Sequence, residues 1–309
     1  MATKSEIAAQ RMADTTFGIE IETVGASRGR VAKAVIDGLA TVNIVATCTE
    51  LTGYAGSDLY KVRMADGREW TVMRDGSLAD GGAEIVSPIL KQADMPALQA
   101  IVRAVRAAGA RSRSEDNCGI HVHVGMVNAD AVVVARLAKL VARVDDVLRD
   151  AIRLDPRRGD YAKKLPEAFV RNVGNPSDAT QLRAAWAKHV GGGFYNPSRY
   201  DRTRYHGLNL NSWFVRGTAE FRYFNGTLHA GEIRAYVTFC LAMVAKAHAG
   251  TVASTPLKVT NGDARHAFYV FLQRHAGLGL KGKDNHAVLH HLTKNLPGTC
   301  PDHSAAEAA

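Results

Sequence analysis

Three short stretches place acid, imidazole and guanidinium groups at a spacing of two. "FGIEIET" carries Glu20 and Glu22, "CGIHVHVG" carries His121 and His123, and "GTAEFRYFNGTL" carries Glu220 and Arg222. In an extended strand, residues two apart point to the same side and sit about 7 Å apart along the chain. Each stretch therefore presents one face of ligand-type groups. The opposite, apolar faces are made of Ile19 and Ile21, of Ile120, Val122 and Val124, and of Phe221 and Tyr223. Any half-exposed antiparallel sheet has a polar face, but a face that meets only water usually mixes Lys, Thr, Ser and Glu. Carboxylates and imidazoles gathered on three strands ask instead for a divalent cation, because like charges facing one another are otherwise costly. Oxygen-rich ligation suits Mg2+, and imidazole in the set admits Mn2+.

Two further acids and two further cations could join this cup. Asp75 in "RDGSL" ends a strand-like run and equally suits a turn before Gly76, whereas Glu84 in "AEIVSP" stands alone in an apolar strand. Arg202 and Arg204, with Arg222, add guanidinium forks that fit a phosphate or a carboxylate. Cys118, beside the histidines, reads as a small buried residue or as a nucleophile. His286 and His290, four apart on a predicted helix, read as a solvated face or a metal pair.

The elements that must hold these groups follow from pattern and punctuation. Phe17 to Thr23 alternates as a strand, and "GASRGRVAKAVIDGL" follows as a helix with Ser27 as its N-cap. "LYKVRMADGREWTVMRDGSL" predicts a hairpin joined at Asp66-Gly67 by a tight primed turn. "GAEIVSPIL" is a short strand ended by Pro88, and "ADMPALQAIVRAVRAAG" is a helix with Asp94 as cap, Pro96 in its first turn and Gly109 after its last. After the histidine strand comes a long amphipathic helix, "NADAVVVARLAKLVARVDDVLRDAI", capped by Asn128. From Asp155 to about Tyr200 the pattern weakens, and this stretch reads as loops forming a substrate-facing lid. "YHGLNLNSW" and "GTAEFRYFNGTL" predict two strands that pair, followed by the helix "HAGEIRAYVTFCLAMVAKAHAG" and two more helices before a frayed end. An α+β fold, strands with helices covering a face, is the simplest architecture.

Composition narrows the class without naming the chemistry. With 46% hydrophobic and 22% charged residues over 309, the chain can bury a sizeable core. No window approaches a membrane span, and "MATKSEIAAQRMADTTF" lacks the basic-then-apolar order of a secretory signal, so a cytoplasmic protein is expected. The four cysteines form no CxxC pair, which argues against a zinc ribbon or a disulfide framework. A net charge of +9 favours an anionic partner. Nucleic acid is permitted by that charge, but the basic residues form no tract and no reading module. The cation cup leaves open a metal-dependent hydrolase, and the basic surface a non-catalytic protein that binds nucleotide or nucleic acid.

Taken in order, "FGIEIET", "DGSL" with "AEIVSPIL", "CGIHVHVG", "YHGLNLNSW" and "GTAEFRYFNGTL" resemble the motif set of the amidoligase family, carboxylate–amine ligases related to glutamine synthetase and glutamate–cysteine ligase. The resemblance covers roughly residues 14 to 250. It implies a glutamine synthetase-like catalytic domain over 14–250, an antiparallel sheet curved into a funnel and covered by helices, flanked by a flexible N-terminus over 1–13 and a helical extension over 251–309. It also implies ATP and Mg2+ or Mn2+ as cofactors. The implied reaction joins a carboxylate-bearing to an amine-bearing substrate through an acyl phosphate, releasing ADP and phosphate. By the same resemblance Glu22 and Glu84, with Asp75, hold one metal beside the acceptor carboxylate, and Glu20, His121 and Glu220 hold a second against the ATP phosphates. Arg222 steadies the transferred phosphoryl group, and His123 lies near the nucleotide or the acyl phosphate. Two departures stand out. Asp75 is shorter than the glutamate of the larger relatives, and the segment 155–200, where specificity is expected, matches no motif.

Overall fold

The computed structural model describes residues 4–51, 58–78, 82–126, 128–193, 195–250, 252–253 and 255–299. In chain order the elements are α1 (Lys4–Asp14), β1 (Phe17–Thr23), α2 (Arg28–Ala40), β2 (Ala46–Leu51), β3 (Leu59–Met64), β4 (Glu69–Met73), β5 (Ala83–Val86), α3 (Met95–Ala107), β6 (Gly119–Gly125) and α4 (Ala131–Ala151). Then come α5 (Glu167–Asn172), α6 (Ala179–His189), β7 (Leu208–Asn209), α7 (Asn211–Arg216), β8 (Thr218–Asn225), α8 (Ala230–His248), α9 (Ala264–Gln273) and α10 (Lys283–Thr293). The fold is α+β, as expected. One open sheet runs β2-β3-β4-β5-β1-β6-β8-β7, and its paired neighbours are all antiparallel.

The alternation read from the sequence decides which face is which. Phe17, Ile19 and Ile21 of β1, Ile120, Val122 and Val124 of β6, Trp70 and Val72 of β4, and Phe221 and Tyr223 of β8 are all buried in one continuous core. Helices cover that face. Gly38 lets α2 and α3 approach closely, since a β-carbon there would come 2.6 Å from Ile101 Cα. Helix α8 is buried nearly all round because α1, α3, α4, α10 and β6 surround it, which is why its sequence has little polar face. Phe268 and Phe271 of α9 and Leu289 and Leu292 of α10 enter the same core. Among the described residues, no helix is long and apolar enough to cross a membrane.

Several local expectations are corrected. The stretch expected as a flexible N-terminus forms α1 over its described part, seated on α8 by buried Met12; so few residues reach the core that no helical period shows. The β3–β4 connection is not a two-residue primed turn. Met64 N–H meets Arg68 O and Gly67 N–H meets Met64 O, with only Gly67 at positive φ (84°), so the loop is a type I turn closed by a glycine bulge. Helix α4 is capped by Asp130, whose carboxylate accepts from Val133 N–H at 2.8 Å, and not by Asn128. Asp94 precedes α3 but its side chain does not cap that helix: its oxygens take the fork of Arg68 at 2.9 Å, and Oδ2 also accepts from Lys91 N–H at 2.8 Å, which closes the 3-10 turn Gln92–Asp94. Ser27 does cap α2.

The larger differences lie at the sheet edge and in the lid. Strand β2 was not anticipated, because "ATCTEL" is largely exposed and has no apolar period. "YHGLNLNSW" yields only the two-residue β7 and then α7, although β7 pairs with β8 as expected. The segment 155–200, read as loops, holds α5 and α6. Trp186, fully buried, packs edge-on against Phe169 at 5.3 Å and His206 at 5.8 Å. Those anchors are scattered over two short helices and a later turn, so no single window carries their period.

Candidate active site

The polar face of the sheet floors a cavity of about 430 Å³. Strand register fixes its floor: Glu22 pairs with Glu84 across β1–β5, Glu20 with His121 across β1–β6, and His123 with Glu220 across β6–β8. Glu220 and Arg222, two apart on β8, both face the cavity, and the β6–β8 register shifts just beyond them, between Ile120 and Val122. His121 Nδ1 lies 3.0 Å from Glu20 Oε2 and 4.0 Å from Glu220 Oε1. His123 Nε2 lies 3.3 Å from Glu20 Oε1 and 3.8 Å from Glu220 Oε1. Arg222 Nη1 donates to Glu220 Oε1 at 2.5 Å, and Asn209 Nδ2 donates to Glu220 Oε2 at 2.6 Å. Gly119 N–H donates to Glu22 Oε2 at 2.6 Å.

These groups form three overlapping triads with ligand atoms within 4.8 Å of one another: Glu22, Asp75 and Glu84; Glu20, Glu84 and His121; Glu20, His123 and Glu220. The donor set, five carboxylates and two imidazoles, suits Mg2+ or Mn2+. An orphaned atom agrees with it: His123 Nε2 is buried and has no aligned hydrogen bond, though two carboxylate oxygens lie within 4 Å of it. A cation between them would satisfy all three.

The charges respond to this crowding. Burial and then the negative charges of Glu20, Asp75 and Glu22 push the Glu84 carboxyl up to about 8. Burial acts to raise Glu20 too, but the hydrogen bond with His121 and the nearby His123 imidazole outweigh it and hold Glu20 well below the usual carboxylate range. For Glu220, burial is outweighed by the charges of His123, Arg222 and His121, and its carboxyl is lowered. For His123, burial is outweighed by Glu220 and Glu20, so the imidazole is raised. Arg222 is likewise raised, its burial overcome by Glu220. The acids nearest the imidazoles are thus satisfied, and the Glu22, Asp75 and Glu84 end is left short of positive charge.

Of the residues singled out from the sequence, Glu20, Glu22, Asp75, Glu84, His121, His123, Glu220, Arg222 and Arg204 all line the cavity. Arg202 does not: it is exposed at the start of a 3-10 turn, Arg202–Arg204, that turns only Arg204 inward. His121 groups with Glu20 and Glu84, and the histidine that groups with Glu20 and Glu220 is His123. Cys118 is fully buried with its thiol raised to about 11 by burial, which suits a packing residue and not a nucleophile. No histidine other than His121 and His123 lines the cavity among the described residues; His286 and His290 are exposed on α10. His229, Glu232 and His291 do come together elsewhere, where His229 and Glu232 are already engaged and the buried Nδ1 of His291 has no hydrogen-bond partner among the described residues. His229 Nδ1 caps α8 at 3.2 Å, and Glu232 binds Lys294 at 2.6 Å and Thr227 at 2.8 Å.

Sequence reasoning missed Asn209 and Arg158. Asn209 shares the pairing expected of its strand with β8, so its side could have been assigned. Arg158, 7% exposed in a 3-10 turn, Pro156–Arg158, announces itself only indirectly, through Gly119 on the face of His121 and His123.

Comparison with protein families matches residues 13–244 to the family described as "Putative amidoligase enzyme". No curated protein matches the chain.

Proposed function

The chain belongs to the amidoligase family, and from that premise we propose that it is an ATP-dependent carboxylate–amine ligase working through an acyl phosphate. Such an enzyme phosphorylates a carboxylate with the γ-phosphoryl group of ATP, then lets an amine displace phosphate to leave an amide or peptide bond. The observation that carries the reading is the row of three overlapping acid and imidazole triads beside Arg222 on the floor of one cavity. Glu20, Glu22, Asp75, Glu84, His121, His123 and Glu220 would hold the Mg2+ or Mn2+ ions. Bound there, these ions supply positive charge against the nucleotide phosphates.

The chain's own groups divide the remaining work. Arg222, clamped by Glu220 and kept protonated, presents its free guanidinium edge toward the phosphoryl group in transfer, where charge builds up most. Arg204 adds a second fork on the same wall for the nucleotide phosphates. Asn209 fixes the far oxygen of Glu220 and so fixes Arg222 in turn. The cytoplasm, where ATP is plentiful, is the compartment in which this reaction would run.

The test is release of ADP and phosphate by the purified protein with ATP and Mg2+ or Mn2+, against pooled carboxylates with and without pooled amines. Release that needs both pools is expected. AMP and pyrophosphate would instead indicate an adenylate and overturn the acyl-phosphate reading.

A further inference from the structure

Residues 119, 121 and 123 lie on one face of β6, yet only the last two have side chains. The space left at Gly119 is filled from elsewhere. A β-carbon there would fall 2.0 Å from Arg158 Nη1, so the Arg158 guanidinium lies across the glycine. Its seat is built from the sheet. Asn225 on β8 accepts from Asp155 N–H at 3.0 Å and donates to Arg153 O at 2.8 Å, and Asp155 accepts from Arg157 N–H at 2.9 Å to close the turn. Arg158 Nη2 donates to Arg222 O at 3.2 Å, while its buried Nε has no hydrogen-bond partner among the described residues.

This cation stands where positive charge is short. Gly119 N–H binds Glu22, so Arg158 overlies the end of the floor that holds Glu22, Asp75 and Glu84, and it lines the same cavity. A buried guanidinium with a spare donor beside an acid cluster that would hold a cation is a place for an incoming anion, held by both. Arg222 and Arg204 already serve the phosphate wall. We infer that Arg158, seated over Gly119, receives the carboxylate of the acid substrate and aligns it for activation, an assignment that rests on the ligase reading.

Two kinds of variant separate the charge from the fold. R158Q removes the fork and R158K keeps a point charge. G119A keeps Arg158 but pushes its flexible end off the seat. Acid-dependent ADP release, with free amino acids, dicarboxylic acids and short acidic peptides as probes, gives half-saturation for acid and for ATP. The half-saturating acid concentration is expected to rise about 10- to 100-fold in R158Q and in G119A, with ATP half-saturation unchanged and R158K partly restoring the acid. The double variant should be no worse than either single one. A rise in ATP half-saturation, or an unchanged acid response, would overturn the assignment. If the wild type releases no ADP, binding of the same probes is followed by thermal shift with Mg2+ and a non-hydrolysable ATP analogue. Stabilisation lost in R158Q and G119A would keep the carboxylate seat and discard the ligase reading; no stabilisation of the wild type by any acid would discard the seat.

Discussion

Replacing Glu84 with glutamine in the cation-free protein should stabilise it, and by an amount that depends on pH. Glu84 faces Glu22 across the β1–β5 pair with Asp75 and Glu20 nearby, and its carboxyl is raised from an ordinary 4.5 to about 8. Between those values the native state holds a proton that the unfolded chain has lost, so native stability falls as pH rises through the window. Below about 4.5 both states are protonated and the contribution is fully present; above 8 it is gone. At about 1.4 kcal/mol per pH unit the ceiling is roughly 4–5 kcal/mol, and proton sharing with neighbouring acids and access of solvent bring the working figure to about 2 kcal/mol. For a chain of 309 residues, unfolding entropy near 2.1 cal/mol/K per residue turns that into a Tm difference of about 3 °C. Melting curves in a chelator should therefore show E84Q level with the wild type at pH 5 and about 3 °C above it at pH 9. Adding Mg2+ should reverse the order, because the wild type alone offers the full acid set. A gap that stays constant from pH 5 to 9, or a wild type no more responsive to Mg2+ than E84Q, would refute the claim that this end of the floor is an acid cluster in need of a cation.

Three other outcomes are expected. E20A and E220A should each abolish metal-dependent ATP cleavage while leaving circular dichroism and melting cooperativity intact; undiminished turnover in either defeats the site assignment. R222K should still bind nucleotide, measured by equilibrium titration, but transfer the phosphoryl group about 100-fold more slowly, since a point charge does not reproduce the fork held by Glu220. Y223F probes the other face of β8. The Tyr223 hydroxyl donates to buried Asp145, which also binds Arg149 at 2.5 Å, so losing it should cost about 1–3 kcal/mol by denaturant titration with kcat preserved.

The floor of the site was legible because a strand states its two faces in its own sequence. Glu20 with Glu22, His121 with His123, and Glu220 with Arg222 each announced a polar side by alternation alone, and pairing only had to set the strands next to one another. The walls were not legible, for a physical reason. Arg158 reaches the cavity from a 3-10 turn whose place is fixed by Asn225, nearly seventy positions later, and no local period reports a contact of that range. The same limit hid α5 and α6, whose burial depends on Trp186 meeting His206 and Phe169. Arg202 shows the opposite error. Its guanidinium suits a phosphate as well as that of Arg204 does, but chemistry alone sets no direction: the two sit in a 3-10 turn, where residues two apart diverge, so only Arg204 faces the cavity.

The overlap among the triads carries a consequence for how the site works as a unit. Glu20 belongs to two triads and Glu84 to two, whereas Glu22, Asp75, His121, His123 and Glu220 belong to one each. A carboxylate shared between adjacent cation positions links their occupancies, since a charge that draws one of its oxygens changes what the other can offer. Loss of Glu20 should therefore weaken binding at both imidazole-bearing positions, and loss of Asp75 at only the one beside Arg158. Glu20 and Glu84 lie on neighbouring strands, β1 and β5, whose register places Glu20 opposite Val86 and Glu84 opposite Glu22. A slip of one residue would send every one of these acids to the apolar face. The packing of Ile19, Ile21 and Ile85 that forbids such a slip is thus also what holds the shared acids within reach of both neighbours.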